Sequence, residues 1–168
     1  SPRSLRYLNL KDVYSTDDDS LLDDFYIPIL SVATLYDRAV GYFSSSMLAI
    51  ALKGLSEFIE NEATMRLVIG DYLTDEEYEA VATGNNTSVQ EKLDLKFREI
   101  VEHHSDQLLT NRLELLSWLV SSGRLEIKYA LRRQGLFHQK IGLVYDQNED
   151  ALVFQGSANE TTAALLPT

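Results

Sequence analysis

Cysteine is absent from all 168 residues, which excludes disulfides, thiolate nucleophiles and cysteine-built zinc sites together. That absence suits an intracellular, cytoplasmic protein. No run of 18 apolar residues occurs, so neither a membrane span nor a membrane partner is expected. Positive charge is scarce: 15 Lys and Arg against 26 Asp and Glu give a net charge of −11. Nonspecific coating of nucleic acid depends on neutralising phosphates and releasing counterions, so a chain this acidic is poorly suited to it, although a local basic cleft remains open to it. No Gly-x-x-x-x-Gly-Lys sequence is present, which places any ATP-driven activity outside this chain. The start, "SPRSLRYLNLKD", has neither a signal-peptide core nor an initiating Met. The end, "AALLPT", stops directly after an expected helix. Both ends read as cuts in a longer protein.

The composition that is present, 45% apolar and 24% charged, is that of an ordinary soluble globular chain. Its length fits one domain, 1–168, with a substantial core. Charge is segregated along it. Acidic residues gather in 12–24 and 71–79, while Lys128, Arg132, Arg133 and Lys140 form a local basic exception.

Hydrophobic periodicity gives alternating elements. "SLLDDFYIPILSVA" reads as a helix capped by Ser20, with Pro28 at a kink or end. "LYDRAVGYF" reads as a strand, "SSSMLAIALKGLSEFIENE" as a helix, and "TMRLVIG" as a buried strand. "TDEEYEAVAT" opens with a capping box, Thr74 and Glu77. Residues 88–121 form one or two amphipathic helices, "RLEIKYAL" is a strand after the Gly123 stop, and "FHQKIGLVYD" and "ALVFQ" are strands across a polar turn. "NETTAALL" is expected to begin a final helix. Strands alternating with helices predict an α/β sandwich, a central mixed sheet flanked by helices.

The hairpin carries the chemistry. With its turn centred near Asn148, paired residue numbers sum to about 296, so Lys140 faces Gly156 and His138 faces Ala158. His138 and Lys140 share a face, because strand side chains alternate, and Ser157 and Asn159 flank the position across from His138. An imidazole, an ammonium, a hydroxyl and a carboxamide thus converge, with Gly156 leaving room beside the lysine. Such a set suits a tetrahedral phosphate. A neutral imidazole is also a nucleophile able to form a covalent intermediate, and a second one, titrating near neutrality, can serve as general acid.

His138-Gln-Lys140 followed by Gly156-Ser157-Ala-Asn159 closely resembles the motif of the phospholipase D superfamily, His-x-Lys, an Asp, then Gly-Ser-x-Asn, in order, spacing and strand–turn–strand context. More loosely, "RAVGYFSSSMLAIALKGL" and "GSANETTAALLP" resemble phospholipase D-like nuclease domains at the N-terminus of bacterial superfamily 2 helicases in restriction and phage-defence systems. The resemblance implies a phospholipase D-like sandwich. It makes His138 the nucleophile and Lys140, Ser157 and Asn159 phosphate ligands, with neither metal nor other cofactor. The family's Asp falls where this chain has Tyr145; Asp146 comes one residue later and is the supporting candidate. The mechanism needs two histidines and the chain holds one His-x-Lys, so a homodimer with a composite site is expected.

Other polar groups have plainer readings. His103 and His104 are adjacent on a helix and point about 100° apart, which suits a solvated face better than a metal pair. Asp17, Asp18 and Asp19 read as a solvated loop before a helix. Ser44 to Ser46 read first as a helix N-terminus, with Ser44 a candidate to line a phosphate site. Arg132 and Arg133 are candidates to track a nucleic-acid backbone. The expected function is a metal-independent DNA endonuclease module, a fragment of a helicase-containing protein. The alternatives are a catalytically silent nucleic-acid or partner-binding module and, without an amphipathic basic helix to support it, a lipid phosphodiesterase or phosphatidyl transferase.

Overall fold

The computed structural model describes residues 3–15, 17–40, 54, 58, 61–85, 87–102, 107–132, 140–156 and 160–167. Local signals act where the sequence put them. The Ser20 hydroxyl accepts the Asp23 amide at 3.3 Å and opens a helical segment. Its first turn, Leu21–Tyr26, is π-helical, with the Ile27 amide donating to the Leu22 carbonyl; α1, Ile27–Val32, follows. Pro28 accounts for the wide turn, since it has no amide to donate and its ring crowds the carbonyl four residues back. The capping box at Thr74 is complete: the Glu77 amide donates to Thr74 Oγ1 at 3.2 Å, and the Thr74 amide to Glu77 Oε2 at 2.9 Å. It starts α2, Asp75–Ala82. Residues 88–121 resolve into two helices, α3 Thr87–Glu102 and α4 Gln107–Ser121, the second ended by Gly123 at φ +75°. The helix expected from residues 44–62 lies mostly outside the described residues.

The strands are β1 Val13–Ser15, β2 Leu35–Val40, β3 Thr64–Tyr72, β4 Leu125–Arg132, β5 Ile141–Tyr145, β6 Ala151–Gly156 and β7 Glu160–Leu165. These described strands form one mixed sheet in the order β1-β7-β6-β5-β2-β3-β4. The pairs β2–β3 and β3–β4 are parallel, and the other four pairs are antiparallel. The fold is α/β with a mixed central sheet, as expected.

Two elements differ from the sequence reading. Residues 160–165, expected to begin a helix, are β7, paired on one side with β6 and on the other with β1. Thr161 and Ala163 are buried while Thr162 and Ala164 are exposed, a period of two that a helix would not give. The helix preference of Ala-Ala-Leu-Leu is weak beside two ladders of backbone hydrogen bonds. The partner strand β1 lies within a segment, 12–24, marked in the sequence by its acidity and not assigned as a strand.

One face of the sheet carries the core. Tyr36, Met65, Leu67, Ile69, Val144, Leu152 and Phe154 meet Phe25, Tyr26, Ile29 and Leu30 of the first helical segment and Leu119 of α4. Each such side chain contributes about 1.5–3 kcal/mol through burial. Phe154 lies at its centre, edge-on to Phe25 and Tyr26 and stacked with Tyr36 at 6.3 Å. On the opposite face Asp37 and Arg66 form an ion pair beside partly buried Ile141 and Leu143.

Candidate functional site

The hairpin has the register the sequence demanded. Ile141 pairs with Gln155 and Tyr145 with Ala151, so paired numbers sum to 296. The Gly156 amide donates to the Lys140 carbonyl at 3.1 Å, which places Lys140 opposite Gly156. Alternation puts Lys140 on the core face with Gly142 and Val144, where it is half-buried. Gly156 is buried, and a Cβ there would stand 2.7 Å from Thr161 Oγ1. A side chain at 156 would therefore crowd Thr161.

His138, Ser157, Asn159, Arg133 and Ser44 lie outside the described residues, as do His103 and His104. Arg132 is the last residue of β4, paired with Tyr72 at the carboxyl end of β3. Because β2, β3 and β4 run parallel and β5 runs against them, Arg132 and Lys140 stand at the same end of the sheet. Three strand spacings of roughly 4.8 Å separate the strands that carry them. In open α/β sheets this carboxyl end is where ligands bind.

Asp146 requires a correction. The supporting candidate stands at the turn of the hairpin, six residues from Lys140, or roughly 20 Å at the rise of an extended strand. It is 3% exposed, and its carboxylate is committed to backbone amides. Oδ1 accepts from Asn148 at 2.8 Å and Asp150 at 3.1 Å, and Oδ2 accepts from Leu5 at 2.8 Å. Asp146 therefore shapes the turn and ties down the N-terminal segment.

Two polar residues on the core face were not singled out by the sequence reading. Arg38 pairs with Gly142 and is 1% exposed, yet its Nε and Nη1 have no hydrogen-bond partner among the described residues. Its guanidinium stacks 4.9 Å above the Phe154 ring. That ring in turn lies over Gly142, where an added Cβ would come within 2.1 Å of it. Thr161 is fully buried, and its Oγ1 also lacks a partner among the described residues. The Tyr26 and Tyr36 hydroxyls are buried without partners on the same side. Burial pushes the Tyr36 hydroxyl pKa upward, against the opposing pull of the Arg38 charge. Alternation in "LYDRAV" was the signal for Arg38, since it shares a parity with Tyr36 and Val40.

Among the described residues no three His, Asp or Glu side chains converge as a metal site, and no helix is long and apolar enough to cross a membrane. Asp19, from the acidic run, accepts from Lys11 Nζ and from the Ser15 amide. Its hydrogen bond with Lys11 holds its carboxyl below the usual range.

No family model matches the chain, and no curated protein matches it in sequence. Among solved structures, it is similar to the yeast tyrosyl-DNA phosphodiesterase at 10% identity and a TM-score of 0.41. The match covers 84% of this chain and 28% of the other. A likeness at that score carries neither fold nor function.

Proposed function

We propose that this chain is a phosphodiesterase, a metal-independent DNA endonuclease module working in the cytoplasm as part of a helicase-containing defence protein. The observation that carries the reading is the hairpin register: Lys140 lies opposite Gly156, the pairing the His-x-Lys and Gly-Ser-x-Asn halves need in order to face one phosphate. Support also comes from the position of that pair at the carboxyl end of the parallel strands.

In this reading His138 attacks phosphorus and a P–N bond forms as the P–O bond to the leaving group breaks. The His138 of a second copy gives its proton to the leaving oxygen. It then takes a proton from the water that attacks the phosphohistidine; a P–O bond forms as the P–N bond breaks, the DNA leaves with a phosphomonoester end, the nucleophile is again a free imidazole and its partner is again protonated. Lys140, Ser157 and Asn159 hold the phosphoryl oxygens, with Arg132 and Arg133 tracking the backbone beyond. The homodimer also doubles the local positive charge, which offsets the acidity of the whole chain.

The test is cleavage of plasmid DNA in EDTA. The wild-type chain cuts, and His138→Ala lowers turnover at least about a thousandfold with an unchanged melting curve. Cleavage that EDTA abolishes and Mg²⁺ restores overturns the reading. Retained DNA binding with no turnover in either form points to the silent binding module, and turnover of phosphatidylcholine in place of DNA to the lipid enzyme. Dimerisation has its own measurement. Light scattering should give twice the 19.0 kDa chain mass, and mixed dimers of wild type and His138→Ala should be inactive. A monomer that cuts DNA would remove the composite site.

A further inference from the structure

We propose that Arg38 is a phosphate ligand, holding with Lys140 and the Thr161 hydroxyl an oxyanion of the substrate phosphodiester. The identity of the anion rests on the phosphodiesterase reading; the existence of the anion site rests on geometry alone. A guanidinium carries its positive charge and its donors wherever the fold places it. At 1% exposure Arg38 has lost its hydration, and Nε and Nη1 have gained no acceptor among the described residues. The Phe154 ring, with its centroid 4.9 Å from the guanidinium carbon, attracts the charge but gives Nε and Nη1 no oxygen acceptor. Breaking a buried ion pair by removing one partner is strongly destabilising, so a buried cation without an anion is costly unless an anion is its purpose.

Position says which anion. Arg38 pairs with Gly142, and Lys140 is two residues from Gly142 on the same face. Diagonal neighbours of this kind lie roughly 7–8 Å apart at the backbone, so a guanidinium and an ammonium can grip one tetrahedral group between them. Across Gly156, Thr161 supplies a buried, unpartnered hydroxyl. Gly156 is the residue whose missing side chain makes room for that hydroxyl, since a Cβ there would stand 2.7 Å from Thr161 Oγ1. Lys140, too, has no partner among the described residues. Two cations and a neutral donor around a glycine match a phosphate in charge and in hydrogen-bond count.

The experiment is thermal melting of the full chain with inorganic phosphate up to about 10 mM, below the range where phosphate acts by exclusion from the surface, against potassium chloride of equal ionic strength. Wild type gains melting temperature with phosphate beyond the chloride control. Arg38→Met melts about 3 °C or more higher without phosphate, because an apolar side chain of similar length replaces an unpaired charge. Its phosphate affinity falls at least tenfold. Arg38→Lys keeps part of the phosphate response.

Wild type without a phosphate response overturns the proposal. So does an Arg38→Met protein that melts lower or fails to fold, which would make the guanidinium a structural group, and so does an unchanged phosphate affinity in Arg38→Met. The two readings fail separately. Phosphate binding with the expected Arg38→Met response but no DNA cleavage leaves the anion site standing and removes the nuclease. DNA cleavage undiminished in Arg38→Met, with its phosphate affinity intact, does the reverse.

Discussion

The two ends of the β5–β6 hairpin handle buried polar groups in opposite ways. At the turn, Asp146 and Asp150 are 3% and 5% exposed, and both are engaged. Asp146 takes three backbone amides, while Asp150 accepts from Ser4 Oγ at 3.3 Å and Arg6 Nε at 2.7 Å. At the open end, Arg38 and Thr161 are as deeply buried and have unpartnered polar atoms. Both ends bear the desolvation of polar groups; among the described residues, the turn recovers it and the open end does not. A fold that satisfies one end so fully has the means to satisfy the other, so the unsatisfied end reads as a place kept for something else. The turn fixes the register, and the register delivers Lys140 to Gly156.

The largest expected effect lies at the closed end. Asp146→Ala strands the amides of Leu5, Asn148 and Asp150 and should cost about 3 kcal/mol of stability by urea unfolding. Asp146→Asn keeps an oxygen acceptor and should cost about half as much. Hydrogen exchange should speed up at those three amides first. A loss under about 1 kcal/mol for Asp146→Ala would mean that water serves the turn as well as the carboxylate, and the contrast between the ends would weaken.

The hairpin register was legible because it depends on local, periodic information: alternation from Ile141 to Tyr145 and from Ala151 to Gln155, and a polar turn at Asn148. The cap at Ser20 and the box at Thr74 were legible for the same reason, since a run of four residues suffices to define each. β7 was not. Its strand state comes from β1 and β6 on either side of it, partners that a local reading of Ala-Ala-Leu-Leu does not contain. The role of Asp146 was obscured by its place one residue past the expected motif position, and its tie to the Leu5 amide spans almost the whole chain. Arg38 was hidden by its neighbour. Beside Asp37 it reads as half of a local charge pair, but consecutive strand residues face opposite ways. Asp37 pairs with Arg66 on the other face, which leaves Arg38 in the core without an ion pair among the described residues.

The smallest effect probes the open end. Gly156→Ala puts a methyl 2.7 Å from Thr161 Oγ1 in a fully buried row, and overpacking of this kind costs about 1–3 kcal/mol. Part of that is returned, because replacing glycine in a strand lowers the entropy of the unfolded chain by about 0.4–1 kcal/mol in free-energy terms. A net loss of about 1 kcal/mol is therefore expected. The clash has one named partner, so it should vanish when that partner is trimmed. In a Thr161→Ala background, Gly156→Ala should cost less than about 0.5 kcal/mol, giving a clear coupling energy in a double-mutant cycle. Simple additivity would mean that the Thr161 hydroxyl swings aside freely, and a hydroxyl free to do so is not one held in place for a ligand.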